Sequence, residues 1–221
     1  MKISSLCAGF AACLLVGGLA RADVYYTSAS SWDAAVSGVS TVNFEGLVPA
    51  SSFSNVTPST VVGGDTFAIG PSAPSGAALF VIGDNFYGYG YATLSSQAAS
   101  GTLDLKVTLP SAVTAIGFDY IVGTGTVTIQ GSDGFSTTES ASGSGNNFLF
   151  FGVTDPGGLT SIDITEPYSA AAQGINMKDF LTATSNTSTV PEPRSAILLA
   201  ALVGVAGVPI ERRRRRATAA N

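Results

Sequence analysis

The sequence contains no histidine, and its two cysteines, Cys7 and Cys13, both fall in an apolar run at the N-terminus. Zinc sites of the usual His/Cys kind, Ser-His-Asp triads and Cys-His pairs each need an imidazole or a thiolate, so the body of the chain is without all three. It has no disulfide to draw on either. Cations are almost as scarce. Lys106 and Lys178 are the only ones between Asp23 and Thr189, against thirteen carboxylates, so that stretch carries a net charge of −11 while the whole chain stands at −5. A surface this acidic repels a phosphate backbone, which argues against nucleic acid and leaves divalent cations and neutral sugars as partners. Charged residues make up only 11% of the chain and glycines number 26, a composition that favours short strands and turns over long amphipathic helices. The 221 residues hold one domain of ordinary size if both ends are processing segments.

The N-terminus has the order of a secretory signal peptide: a short positive start at Met1-Lys2, an apolar run from Ile3 to Leu19, then small residues at Ala20 and Ala22 around Arg21. Cleavage by signal peptidase is predicted before Asp23. The competing reading is a hydrophobic core helix. A lipoprotein cut at Cys13 fits less well, because Phe10 is a poor residue three before the cysteine and most of the apolar run would follow the cut.

The C-terminus falls into three parts: Val190, Pro191, Glu192 and Pro193; an apolar segment from Ser195 to Ile210; and the cluster Arg212, Arg213, Arg214, Arg215 and Arg216. A helix over 195–210 rises about 24 Å at roughly 1.5 Å per residue, somewhat short of a hydrocarbon core of about 30 Å. Flanking arginines reach the interface by snorkelling. Five arginines after the segment and Arg194 alone before it place the C-terminus in the cytoplasm, which agrees with export of the preceding domain. Pro191 and Pro193 bias their predecessors toward extended backbone and keep the motif out of the helix.

This order of motif, short apolar helix and terminal arginines resembles the PEP-CTERM sorting signal of Gram-negative bacteria that make exopolysaccharide. The resemblance covers 190–216 and departs from the usual pattern at Arg194 and Pro209. It implies recognition of Pro191, Glu192 and Pro193 by an exosortase in the inner membrane, with Arg212 to Arg216 as the cytoplasmic hold, and removal of the anchor near the motif. A single-span anchor without processing has the same hydropathy. The chain thus divides into a signal peptide over 1–22, an ectodomain over 23–181, a Ser/Thr-rich spacer over 182–189 and the sorting tail over 190–216.

Within the ectodomain, Ser30 and Ser31 followed by Trp32 to Val36 read as an N-cap and one or two helical turns. Apolar-polar alternation takes over from Thr41. Leu103, Leu105, Val107 and Leu109, interleaved with Asp104, Lys106 and Thr108, share one face at period two. Further strands are predicted over 41–45, 66–69, 77–82, 115–122, 124–130, 148–153, 159–165 and 174–181. Gly63-Gly64-Asp65, Ser132-Asp133-Gly134 and Asp155-Pro156-Gly157-Gly158 serve as turn signals between them. The expectation is an all-β, antiparallel β-sandwich of jelly-roll type. The segments Asn43-Phe44-Glu45-Gly46-Leu47, Ile116-Gly117-Phe118-Asp119 and Met177-Lys178-Asp179-Phe180 loosely resemble the ectodomains that precede such tails. Those domains are similar to carbohydrate-binding jelly rolls.

Three sites suggest themselves. Tyr87, Tyr89 and Tyr91 alternate with glycines and form either a platform for sugar rings or the buried face of a strand. Glu45 and Asp179 would meet, and hold a structural calcium, if the terminal strands pair as in related sandwiches; otherwise they are solvated carboxylates. Two carboxylates at glycosidase spacing are the third candidate, and no glutamate lies in a recognisable catalytic motif. The expectation is therefore a non-enzymatic surface or extracellular-matrix protein without a cofactor, sorted by an exosortase. The alternative is a surface-displayed carbohydrate-binding module of the exopolysaccharide or biofilm matrix.

Overall fold

The computed structural model describes residues 23–123, 125–141, 147–167 and 174–186; the expected signal peptide and the sorting tail lie outside them. In chain order the elements are β1 (Val24–Tyr26), α1 (Ala29–Ala35), β2 (Val36–Asn43), β3 (Phe53–Asn55), β4 (Ser59–Val62), β5 (Asp65–Ile69) and β6 (Ala78–Ile82). They continue with β7 (Thr93–Gln97), β8 (Thr102–Ile121), β9 (Gly125–Gly131), β10 (Ser136–Ala141), β11 (Leu149–Pro167) and β12 (Ile175–Ser185). All pairings among the described strands are antiparallel. No helix among the described residues is long and apolar enough to cross a membrane.

The two longest strands pass through both layers of a sandwich. The first half of β8 pairs with β5 and with the second half of β11, and β9, β10 and β4 extend that layer. The second half of β8 pairs with β12 and with the first half of β11, flanked by β2 and β1. β7 joins the start of β12 and carries β6 and β3 outward. Phe67 of β5 meets Phe180 of β12 edge-on at 5.7 Å although the two strands share no ladder, so the layers pack face to face. Leu105, Val107, Phe118, Phe151 and Ile164 are fully buried in the same core, each side chain contributing about 1.5–3 kcal/mol by leaving water.

Local chemistry sets the bends. In β8 the chain turns over at Pro110-Ser111-Ala112, all exposed, where proline has no N–H to offer a ladder. In β11 the register slips between Thr154 and Leu159, across the Asp155-Pro156-Gly157-Gly158 stretch that the sequence marks as a turn. These four residues bend a strand rather than end it. The period-two reading of β8 is right for Leu103, Leu105, Val107 and Leu109, which are buried, but Asp104, expected outside, is buried too.

The one helix among the described residues sits where expected but begins about a turn early: Ser28 occupies the N-cap position, without a capping side-chain bond, and Ser30 and Ser31 lie inside. Tertiary packing holds it. Trp32 is fully buried and its indole Nε1 donates to the Val153 carbonyl at 3.4 Å. The predicted strands do not include β7, whose Thr93, Ser95 and Ser96 are polar yet buried, with Ser96 Oγ donating to the Asp104 carbonyl at 2.9 Å. β12 runs on to Ser185, pairing with β2, and Asn186 donates from its backbone N to Ala35 O at 2.8 Å. The first four residues of the expected spacer at 182–189 are therefore strand, as β-branched Thr182 and Thr184 allow.

Candidate functional site: an exposed line of aromatic rings

Tyr87, Tyr89 and Tyr91 do not form a strand. They lie on the connection between β6 and β7, which folds back on itself. Its start is fastened to the segment before β3 by Gly83 N donating to Ser52 O and Asn85 N donating to Ala50 O, both at 2.8 Å, and its middle by Gly90 N donating to Asp84 O at 2.8 Å. Gly88 and Gly90 adopt φ of +70° and +75°, in the left-handed region that glycine enters without steric cost. Glu45 Oε1 accepts from Ala92 N at 2.9 Å and anchors the far end.

This backbone brings seven rings into one continuous line. Phe80 of β6 contacts Phe53 of β3 at 5.7 Å, Phe53 contacts Phe86 at 5.1 Å, and Phe86 contacts Tyr87 at 4.9 Å. Tyr87 then meets Tyr89 at 5.5 Å, Tyr89 meets Phe148 at 5.9 Å, and Phe148 meets Tyr91 at 6.2 Å. Phe53, Tyr87 and Tyr91 keep 52%, 46% and 43% of their surface exposed, and Phe86 is also exposed. Tyr89 is half-buried, and burial, then the neighbouring Tyr87, push its hydroxyl above the ordinary tyrosine value; it stays protonated and able to donate at neutral pH. Successive rings meet at 47° to 86°, so the surface is stepped rather than flat.

Charge borders the line at one end. Lys178 Nζ stands 4.1 Å from the Tyr91 ring centre, a cation–π contact, and lies 3.2 Å from Asp179 and 3.9 Å from Asp119. Burial raises the Asp119 carboxyl, Lys178 opposes that rise, and Asp179 adds to it. Of the two carboxylates expected to hold calcium, Asp179 is thus engaged by a lysine. The other, Glu45, is spent on the Ala92 amide. Sequence reasoning found Tyr87, Tyr89 and Tyr91, in a segment that opens at Phe86, but not Phe53 or Phe148, which carry no motif and lie far from that segment in sequence.

No family model matches the chain. No curated protein matches it either. Among solved structures it is similar to a carbohydrate binding module of family 29, with 16% identity over 67% of this chain and 91% of that one at a TM-score of 0.28. A mutant of CBM29-2 made to probe ligand recognition by that family shows 12% identity over 70% of this chain and 100% of the other, at 0.29. The isomalto-dextranase of Arthrobacter globiformis T6 in complex with panose shows 17% identity over 66% of this chain and 23% of that one, at 0.26. Likenesses this distant carry no weight for function.

Proposed function

We propose that this protein is a non-enzymatic, carbohydrate-binding β-sandwich, exported and displayed at the cell envelope. The line of seven rings from Phe80 to Tyr91 carries the binding reading. Apolar C–H faces of sugar rings stack on aromatic faces, and a soluble domain exposes clustered large aromatics at a cost unless a partner covers them. A coplanar set would suit the flat face of a crystalline polymer. Rings tilted by 47° to 86° suit a single polysaccharide chain whose successive sugars turn relative to one another. The acidic balance of the domain favours a neutral glycan over an anionic one.

Retention of the purified protein by a panel of neutral, soluble polysaccharides in affinity electrophoresis tests this. Phe53→Ala, Tyr87→Ala and Tyr91→Ala are each expected to weaken retention on the order of tenfold, about 1.4 kcal/mol, with melting temperature little changed. No retention on any member of the panel would sink the reading.

Display rests on the two ends. The order Val190-Pro191-Glu192-Pro193, apolar 195–210 and Arg212 to Arg216 supports exosortase sorting, and Ala20-Arg21-Ala22 supports cleavage before Asp23. Intact mass of the protein from its native host should give a species starting at Asp23 and ending near Pro193, lost when Pro191, Glu192 and Pro193 become alanines. A species retaining Arg212 to Arg216 would leave only a plain anchor.

A further inference from the structure

Away from the aromatic line, three carboxylates that the sequence marks only as a cleavage position and two turn residues come together at the bend of β11. Asp23 leads into β1, Asp133 sits in the turn between β9 and β10, and Asp155 follows Thr154 where the β11 register slips. One carboxylate oxygen from each lies within 4.8 Å of the other two.

The arrangement is held by the fold. Val24 pairs with Thr154, which sets Asp23 beside Asp155. Ser132 ties the turn to β11: its backbone N donates to Ser161 O at 3.1 Å, and its Oγ accepts from Thr160 N at 2.8 Å and Ser161 N at 3.3 Å. Each of the two turn carboxylates has one oxygen engaged by its own loop, Asp133 Oδ1 accepting from Phe135 N at 3.2 Å and Asp155 Oδ1 from Gly157 N at 2.6 Å.

What points to a ligand is the other oxygen of Asp155. The residue is 3% exposed and Oδ2 is buried with no hydrogen-bond partner. A buried carboxylate oxygen left without a partner beside two further carboxylates is costly unless a cation answers it. Neither lysine of the domain is placed to do so, since Lys106 pairs with Asp163 and Lys178 with Asp119 and Asp179.

We propose that Asp23, Asp133 and Asp155 hold a calcium ion that fastens the N-terminal strand and the β9–β10 turn to the bend of β11. The donors are hard oxygens with no imidazole or thiolate, which excludes a zinc-type site. They come from a strand start, a turn and a bulge, which suits the larger and geometrically tolerant calcium over the strict octahedron of magnesium.

The test uses the full chain, stripped with EDTA and then titrated with calcium chloride, read by calorimetry and by thermal melting. One calcium per chain is expected, with the melting temperature raised by several degrees over EDTA. Asp133→Asn and Asp155→Asn should each lower calcium affinity about tenfold or more. Asp155→Asn should at the same time melt no lower than wild type in EDTA, because it removes the uncompensated buried charge; that keeps the test from resting on a variant that merely fails to fold. Terbium in place of calcium gives a second readout through tyrosine-sensitised emission from nearby Tyr25, expected in the wild type and lost in Asp133→Asn. No heat and no melting shift at millimolar calcium would overturn the proposal. So would a shift that survives both substitutions, and an equal response to magnesium would overturn the assignment to calcium.

Discussion

Trp32 owes its place to two glycines. Gly117 and Gly152 face each other across the β8–β11 ladder, and a Cβ on Gly152 would come within 2.5 Å of the indole Cδ1, while one on Gly117 would lie 3.3 Å from Cε2. The pair makes a notch in a surface of side chains, and the helix drops its one large apolar residue into it. Gly152→Ala is expected to destabilise the domain by about 1–3 kcal/mol through overpacking, read as a lower urea midpoint with an unchanged slope. An unaltered midpoint would mean that the helix tolerates displacement and contributes little. Asp104 is a different kind of residue-scale compromise. Its Oδ2 accepts from Ser72 N at 2.7 Å while Oδ1 has no partner, and burial outweighs that hydrogen bond to raise its carboxyl.

At the scale of elements, alternation misleads in one place and under-reports in another. Tyr87, Tyr89 and Tyr91 repeat at period two, the signature of a strand, yet Gly88 and Gly90 with positive φ turn the segment into a folded loop. Nothing lies within 4 Å of where a Cβ on Gly90 would sit, so Gly90→Val tests the backbone alone. A β-branched residue resists the left-handed region by roughly 1–2 kcal/mol, and the expected outcome is loss of polysaccharide retention with the fold intact by circular dichroism. Retention at the wild-type level would show that ring positions do not depend on this turn. β8 and β11 show the converse. Each reads as two strands with a punctuating Pro or Gly stretch, and each is one strand bent between layers, because both flanking halves find partners in the same fold.

For the molecule as a whole, electrostatics sets an unusual pH response. Burial raises the carboxyls of Asp23, Asp65, Asp104 and Asp119 in the folded domain. A raised folded-state value means that the folded form takes up protons where the unfolded chain does not yet, so stability falls as pH rises through that window. The window opens at the ordinary carboxyl value of 3.8 and closes at each group's raised value. In EDTA, the urea midpoint is therefore expected to climb as the buffer is acidified from pH 7 toward pH 4, the reverse of ordinary acid denaturation, with relief of the −11 charge acting in the same direction. Asp104→Asn should flatten part of that climb. A midpoint that drops steadily on acidification would show that the ion pairs of Lys106 and Lys178 outweigh the buried acids.

Much of this protein is written locally and was legible from residues alone. The missing histidines and the placement of the cysteines constrain its chemistry. Period-two runs such as Leu103 to Leu109 determine a strand and its inner face, since burial of alternate side chains needs only a neighbour to pack against. Glycine pairs such as Gly63-Gly64 determine a turn, here with φ of +63° and +99°. The sites are another matter. Phe53 and Phe148 join Phe86 and the three tyrosines in one surface, and Asp23, Asp133 and Asp155 form one cluster, only when strands distant in sequence pair in register. Register and the bends of β8 and β11 are settled by the sum of packing across the sandwich, a quantity that no short stretch of sequence contains.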